Sequence, residues 1–476
     1  MSVIGEHPRT PRPPDDFRTT IARPGGGRSA ADRTDGVRTT RPAGAGARAA
    51  KGAGAAARAT RAAGAAAATR ARRRVIKPKP APPPPPRKER REARQSTVAR
   101  SVRRLRQAWT DGGRLRPPGY YGLLSTIVVL NLVGLVMILS SSSVEALANY
   151  GSSWLFFKRQ LTWMTLGFIA LTVTSRIDYR IFRRYVLPAL AVSSFLLLLV
   201  LVPGVGVNVN GSTRWLGVGS ARFQPSELAK LALLLYGADL LARRAAHVGD
   251  WRVVLRPVFL VFCFFGGLVM LQPDMGTTIT MAILTGSILF VGGIRMRHMA
   301  TVFATSAVVG TFLAFAEPYR RARMMSFIDP FDHYKEGGYQ VAQSLIALGS
   351  GGWTGVGLGA GRAKWMFLPN AHTDFIFAII GEELGLVGCA LVLFLFGALA
   401  VLGVRATMRA PDRFGQLVAA GITGWIVGQA IINVGAVTGA LPVTGVPLPF
   451  VSFGGSALLF TMCASGVLLN IARQGR

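Results

Sequence analysis

Past residue 118 the chain is a succession of apolar runs, most of them long enough to cross a hydrocarbon layer, separated mainly by short polar connections. Ten transmembrane helices are predicted, near 121–142, 160–175, 185–202, 226–242, 254–271, 276–293, 299–317, 373–403, 416–439 and 451–473. The expected fold is therefore all-α, a polytopic membrane protein with a large outer loop between spans seven and eight. Residues 1–118 differ in kind: large apolar side chains such as Phe17, Ile21, Val75 and Ile76 are scattered among Ala, Gly, Arg and Pro. Such a segment buries too little apolar surface to offset its conformational entropy, so a disordered tail is expected before a membrane domain at 119–476. It has no early apolar h-region and does not read as a secretory signal peptide.

Charge then fixes orientation. Of the formal +33, the tail alone contributes +21, from 29 Lys and Arg against 8 acids. Its basic residues just before the first span suit anionic lipids at the cytoplasmic surface, a reading that outweighs a nucleic-acid-binding tail, so no nucleic-acid partner is expected. With the tail inside, the even-numbered connections are cytoplasmic as well. They carry Arg176, Arg180, Arg183 and Arg184, then Arg243, Arg244 and Arg252, then Arg295 and Arg297, then Arg405, Arg409 and Arg413. An even number of spans places both termini in the cytoplasm.

Two outer connections are too elaborate to be passive. The first, 203–227, ends in Gln224-Pro225-Ser226-Glu227, where Ser226 ahead of an acid and an apolar run reads as a helix start. The second, 317–373, exceeds fifty residues. Its apolar stretch at 341–348 suggests a re-entrant or interfacial helix, and its glycines at 355, 357 and 359 lack the ending of a phosphate-binding loop and read as tight turns.

Fourteen acids lie outside the tail. Asp178, Asp239, Asp250 and Asp412 fall in or near cytoplasmic connections beside arginines, and Glu145 falls in the first outer loop as a surface residue. Glu227, Asp274, Glu317, Asp329, Asp332, Glu336, Asp374, Glu382 and Glu383 are outer-facing or within a span. Carboxylates there need a cavity, a partner or a substrate, because hydrocarbon disfavours them by several kcal/mol. Asp374, at the membrane edge, is the best placed general base. Glu382 and Glu383, read as lying roughly 12 Å deeper on the same helix, suit either a structural pairing, which weighs more, or direct chemistry. Arg214, Arg320, Arg321, Arg323, Arg362 and Lys364 oppose the positive-inside bias and suit an anionic phosphate or pyrophosphate head group. Cys263, Cys389 and Cys463 lie in apolar runs with no metal-ligand spacing, and the histidines are too scattered for a zinc site.

Seven blocks carry a family resemblance: 210–215, 224–227, 271–276, 338–340, 371–377, 381–385 and 447–456. In this order and topology the chain resembles the SEDS family of FtsW, RodA and SpoVE proteins over about 119–473, the tail lying outside. The resemblance implies a ten-helix peptidoglycan glycosyltransferase that polymerises lipid II on the outer membrane face. It places the catalytic aspartate at Asp374. It further implies substrate contacts from Lys364, Arg214, Arg323, Glu227, Asp274, Gln340, His372, Thr373, Glu382, Glu383 and Ser452. The reaction should invert, with Asp374 taking a proton from the acceptor 4-hydroxyl as the undecaprenyl diphosphate departs and Lys364 and nearby Arg stabilise its charge. No cofactor is implied, and a divalent cation requirement stays open.

Two positions depart from the family pattern. Asn370 stands where many relatives have Glu, and Thr444 where some have Lys. The Ala-His-Thr-Asp and Pro-Phe-Val-Ser-Phe-Gly-Gly blocks look closer to the FtsW branch than to RodA, and the Arg-, Ala- and Gly-rich tail suggests a high-GC actinobacterium. That branch implies a class B penicillin-binding transpeptidase and other division membrane proteins as partners. A lipid II transporter is the competing reading, but it would need charges on both faces.

Overall fold

The computed structural model describes residues 117–209, 212–218, 221–301, 304, 327–334, 338–365 and 367–475. The tail, most of the expected seventh span, Glu317, Arg320, Arg321, Arg323 and Glu336 lie outside the described residues. Nine of the ten expected runs fall on helices, which we number in chain order. These are α1 (Pro118–Tyr150), α2 (Leu155–Arg176), α3 (Val186–Leu201), α4 (Pro225–Arg243), α5 (Leu255–Met270), α6 (Met275–Val291), α8 (Ile376–Met408), α9 (Arg413–Val437) and α10 (Gly455–Gln474). The expected helix at 341–348 is α7 (Tyr339–Ser350). Among the described residues, five helices are long and apolar enough to cross a membrane unaided: α1, α3 with its preceding 3-10 turn, α8, α9 and α10.

The first long connection corrects the purely helical expectation. It forms a small antiparallel sheet, β1 (Val207–Val209), β2 (Ser212–Val218) and β3 (Ala221–Phe223), in the order β1-β2-β3. The sequence signal for this pairing is the Asn-Gly at 210–211, a dipeptide favoured in hairpins, between Val-Asn-Val and Ser-Thr-Arg-Trp.

The bundle is held by close helix contacts rather than by hydrophobic sorting, since lipid is as apolar as leucine. The most extensive pairing joins α10 to α2, and α9 packs against α6, α4 and α8. Gly421, Gly424 and Gly428 let α9 approach α6: a Cβ on them would meet Ile288, Ser287 and Ile283 at 2.8, 2.0 and 2.5 Å. Trp425, fully buried, sits among them.

Helix α8 is not continuous. Gly385 has φ 64° and ψ −162°, so nine residues of helix end there and a longer segment starts anew. A break leaves orphan backbone groups on both sides, which hydrocarbon cannot satisfy. The glycine-rich segment of the second long connection supplies the partners. Val356 and Gly357 N–H donate to the Glu382 and Glu383 carbonyls, and Leu386 and Val387 N–H donate to the Gly352 and Trp353 carbonyls. Gly355, Gly357 and Gly359 all have positive φ, as the tight-turn reading expects.

Candidate functional site

The Gly385 break decides the fate of the two glutamates. Asp374 lies in the turn before α8, which begins only at Ile376, so the expectation that Asp374 shares a helix with Glu382 and Glu383 is corrected. Glu382 accepts hydrogen bonds from the Arg362 and Ala363 N–H groups at 2.7 and 3.2 Å. Glu383, fully buried, accepts from Ser140 Oγ, Gly359 N–H and Lys364 Nζ. Lys364 is itself 5 % exposed, pairs with Glu383 at 2.9 Å and donates to the Gly359 carbonyl. In this geometry its ammonium is spent inside the protein, and Arg362 two residues earlier is the exposed cation of the segment.

The turn carrying Asp374 is built by Asn370. Its φ of 58° is left-handed, a conformation that asparagine tolerates better than most residues. Its carbonyl accepts from the N–H and the hydroxyl of Thr373 at 3.0 and 3.1 Å. His372, 7 % exposed, stacks between Phe156 and Phe453 with ring centroids 4.6 and 5.7 Å away, and its carbonyl accepts from the Phe453 N–H at 3.0 Å. Its Nδ1 stands 3.2 Å from Glu145 Oε2, within ion-pair distance although outside hydrogen-bond alignment. Glu145 is thus not a loop residue: it rides on the last turns of α1, which extends eight residues beyond the expected span. Nothing in local sequence signals that pairing, because its partner is over 200 residues away.

Asp374 is half-buried. A Cβ on Gly445, in the last connection, would lie 3.6 Å from Asp374 Oδ2, so the carboxylate faces that connection. Ser452 fastens the same connection by accepting from the Leu448 N–H at 2.8 Å. Asn433 of α9, a residue the motifs missed, joins both: its Nδ2 donates to the carbonyls of Asp374 at 2.7 Å and Val446 at 2.8 Å. One turn earlier Gln429 donates to the Pro447 carbonyl at 2.9 Å and accepts from Trp425 Nε1 and Lys230 Nζ.

Lys230 leads to Glu227. The two pair at 2.9 Å with side chains 2 % and 5 % exposed, and the ammonium lies 4.5 Å from the centroid of the Trp425 ring. Helix α4 starts at Pro225, with Gln224 at its cap position and Glu227 in its first turn, so the expected helix start is borne out within a residue. Among the described residues Ser226 Oγ, Glu227 Oε2, Asn433 Oδ1 and Thr444 Oγ1 are buried without a hydrogen-bond partner. Asp274 is the N-cap of α6, accepting from Thr277 N–H, Thr277 Oγ1 and Gln224 Nε2. Arg214 on β2 lies 3.7 Å from it and donates to the Gln272 and Pro273 carbonyls. Gln340 is half-buried in the first turn of α7, and Arg323 lies outside the described residues.

The structure therefore sorts the expected residues into groups. Asp374, Thr373, His372 and Ser452 cluster with Asn433 and the last connection. Glu227 joins that cluster through Lys230 and Gln429. Glu382, Glu383 and Lys364 form a separate closed knot, and Asp274 with Arg214 ties the sheet to α6. Among the described residues no group of three His, Cys, Asp or Glu could hold a metal ion.

Residues 121–476 match the profile of the cell cycle protein family comprising FtsW, RodA and SpoVE. The chain belongs to that family. Two members and a solved structure show how far the likeness runs. The chain is 41% identical over 355 residues to the "Probable peptidoglycan glycosyltransferase FtsW" of Mycobacterium tuberculosis, covering 75% of this chain and 68% of that protein. It is 42% identical over 359 residues to stage V sporulation protein E of Bacillus subtilis, covering 74% and 97%. A chain solved in a peptidoglycan synthase complex, described for its coordination of polymerization and crosslinking, superposes with a TM-score of 0.62 at 31% identity, covering 74% of this chain and 97% of that one. The family membership and the polytopic fold meet the expectation from the seven blocks.

Proposed function

We propose that this chain is a peptidoglycan glycosyltransferase that polymerises lipid II during septal wall synthesis. It works from the outer face of the plasma membrane, with both termini cytoplasmic. The observation that carries the reading is the setting of Asp374: a half-buried carboxylate in a braced turn, facing a glycine of the last connection, beside a region whose buried polar atoms have hydrogen-bonding capacity to spare. Such capacity favours a polar substrate over lipid.

In the proposed step Asp374 takes the proton of the acceptor sugar's 4-hydroxyl. The freed oxygen pair forms the bond to the anomeric carbon of the donor, and the bond from that carbon to the undecaprenyl diphosphate breaks with its electrons leaving on the diphosphate. Attack opposite the leaving group converts the α-linked donor into a β-1,4 linkage. Because Lys364 is committed to Glu383, exposed Arg362 is the better cation for the departing diphosphate. A class B penicillin-binding transpeptidase crosslinks the strands, other division proteins gather around the pair, and anionic lipids hold the basic tail. No cofactor enters this scheme.

The test is lipid II polymerisation by the purified chain with its transpeptidase. Asp374→Asn should lower turnover about 10³-fold while the protein stays folded. Equal activity in both proteins would remove Asp374 from the chemistry. No polymer from either, with lipid II crossing liposomes, would make the transporter the better reading.

A further inference from the structure

Helix α9 presents two amide side chains, one helical turn apart, to three main-chain carbonyls. Gln429 holds Pro447, and Asn433 holds Val446 and Asp374 at once. Asn433 is 2 % exposed, and both of its N–H bonds go to carbonyls from segments about sixty and thirteen residues away in sequence. A single buried NH₂ group bridging two carbonyls fixes their separation to within the tolerance of two short hydrogen bonds.

We infer that Asn433 is a positioning residue for the glycosyl transfer: it sets the distance between the turn that carries the Asp374 carboxylate and the last connection that the carboxylate faces. This rests on the reading of Asp374 as general base. Three features favour positioning over simple packing. The bond is made to the main chain of Asp374 itself, so it orients that residue rather than a neighbour. The last connection has its own internal fastening through Ser452 and Leu448, so Asn433 is not what folds it. Gly445, beside Val446, has φ 74°, and a Cβ on it would lie 3.6 Å from Asp374 Oδ2, so a shift of the connection changes what the carboxylate faces.

The experiment uses the full chain with its transpeptidase and lipid II as substrate, measuring kcat, KM and the thermal melt for Asn433→Ala and Asn433→Ser. Losing the bridge should lower kcat about 100-fold in Asn433→Ala, because misplacement of a catalytic group by an ångström costs about that much. Asn433→Ser, which keeps one donor on a shorter arm, should fall in between. KM should stay within about twofold of wild type, and the melt should fall modestly in both variants because two carbonyls lose a buried donor, without accounting for the loss in kcat. Wild-type kcat in both variants, a loss that sits in KM, or a loss that tracks the melt would overturn the assignment. Asp374→Asn measured alongside separates the two levels. If it turns over like wild type, the reading of Asp374 fails and the assignment with it. If it is inactive while Asn433→Ala keeps wild-type kcat, the assignment alone fails.

Discussion

Two regions near the start of α8 bury charge in opposite ways. Around the Gly385 break, Glu382, Glu383 and Lys364 meet two backbone N–H groups, a third from Gly359, the Ser140 hydroxyl, the Gly359 carbonyl and one another. Around Asp374 and Glu227, Ser226 Oγ, Glu227 Oε2, Asn433 Oδ1 and Thr444 Oγ1 are buried without a hydrogen-bond partner among the described residues, and His372 Nδ1 has only the Glu145 carboxylate at ion-pair distance. The two regions have similar residue types, so residue type alone does not separate structure from site. Saturation does. A buried charge is tolerated when its hydrogen bonds are filled, and of these two regions the one that leaves them open is the one we propose as the site.

The comparison can be broken most directly at Lys364. Lys364→Met leaves Glu383 buried beside Ser140 without its cation, and should cost about 3–5 kcal/mol in a denaturation measurement, with much of the loss regained by adding Glu383→Gln. A normal melt with weakened lipid II binding would instead put Lys364 in the site. Gly385→Ala comes next. A Cβ there would stand 2.4 Å from the Gly355 nitrogen at a φ of 64°, so about 3 kcal/mol of stability should go, read as a lower melting temperature.

Asp412 offers a smaller effect, away from both regions. It caps α9 through the Gly415 N–H and pairs with Arg180 at 2.7 Å. Burial pushes its carboxyl up, but the Arg180 and Gly415 hydrogen bonds and the arginine charge together hold it below the ordinary 3.8. A carboxyl depressed in the fold stabilises it above that ordinary value and loses the contribution as pH falls through the lower one. Asp412→Asn should therefore cost about 1 kcal/mol at pH 7, discounted for its partial exposure, and the difference from wild type should shrink below pH 4. The smallest stability effect belongs to Ser226→Ala. Deleting a buried hydroxyl without a partner should leave the melt unchanged or raise stability by up to about 1 kcal/mol. Polymerisation by that variant should nevertheless drop if the open region is the site; wild-type turnover would remove Ser226 from it.

Much of this was legible in the sequence. Spans follow from apolar length, α7 from its apolar stretch within a long loop, and the place of Asp374 just before α8 from its position at the head of an apolar run. What escaped was long-range. Glu145 looked like a loop acid because its helix outlasts its apolar part, and only the fold brings His372 beside it. Lys364 looked available for a diphosphate because nothing local foretells that Gly385 will bend α8 and turn Glu383 toward it. Asn433 and Gln429 fell inside an apolar run and lacked the charge that drew notice to the acids. The sheet was signalled by Asn-Gly but outweighed by the surrounding helices.

The pairing of α2 with α10 bears on how the protein is made. Helix α2 has 22 residues, with Lys158 and Arg159 in its first two turns, and falls outside the set apolar enough to cross unaided. Its main partner is the last helix, whose Gly466 admits the Thr174 side chain and whose Cys463 carbonyl accepts that hydroxyl's hydrogen bond across 289 residues. A ribosome adding about 5–20 residues per second needs tens of seconds to cover that span. For that time α2 has only α1 to pack against, so a chain cut short before α10 leaves its second helix without its main partner.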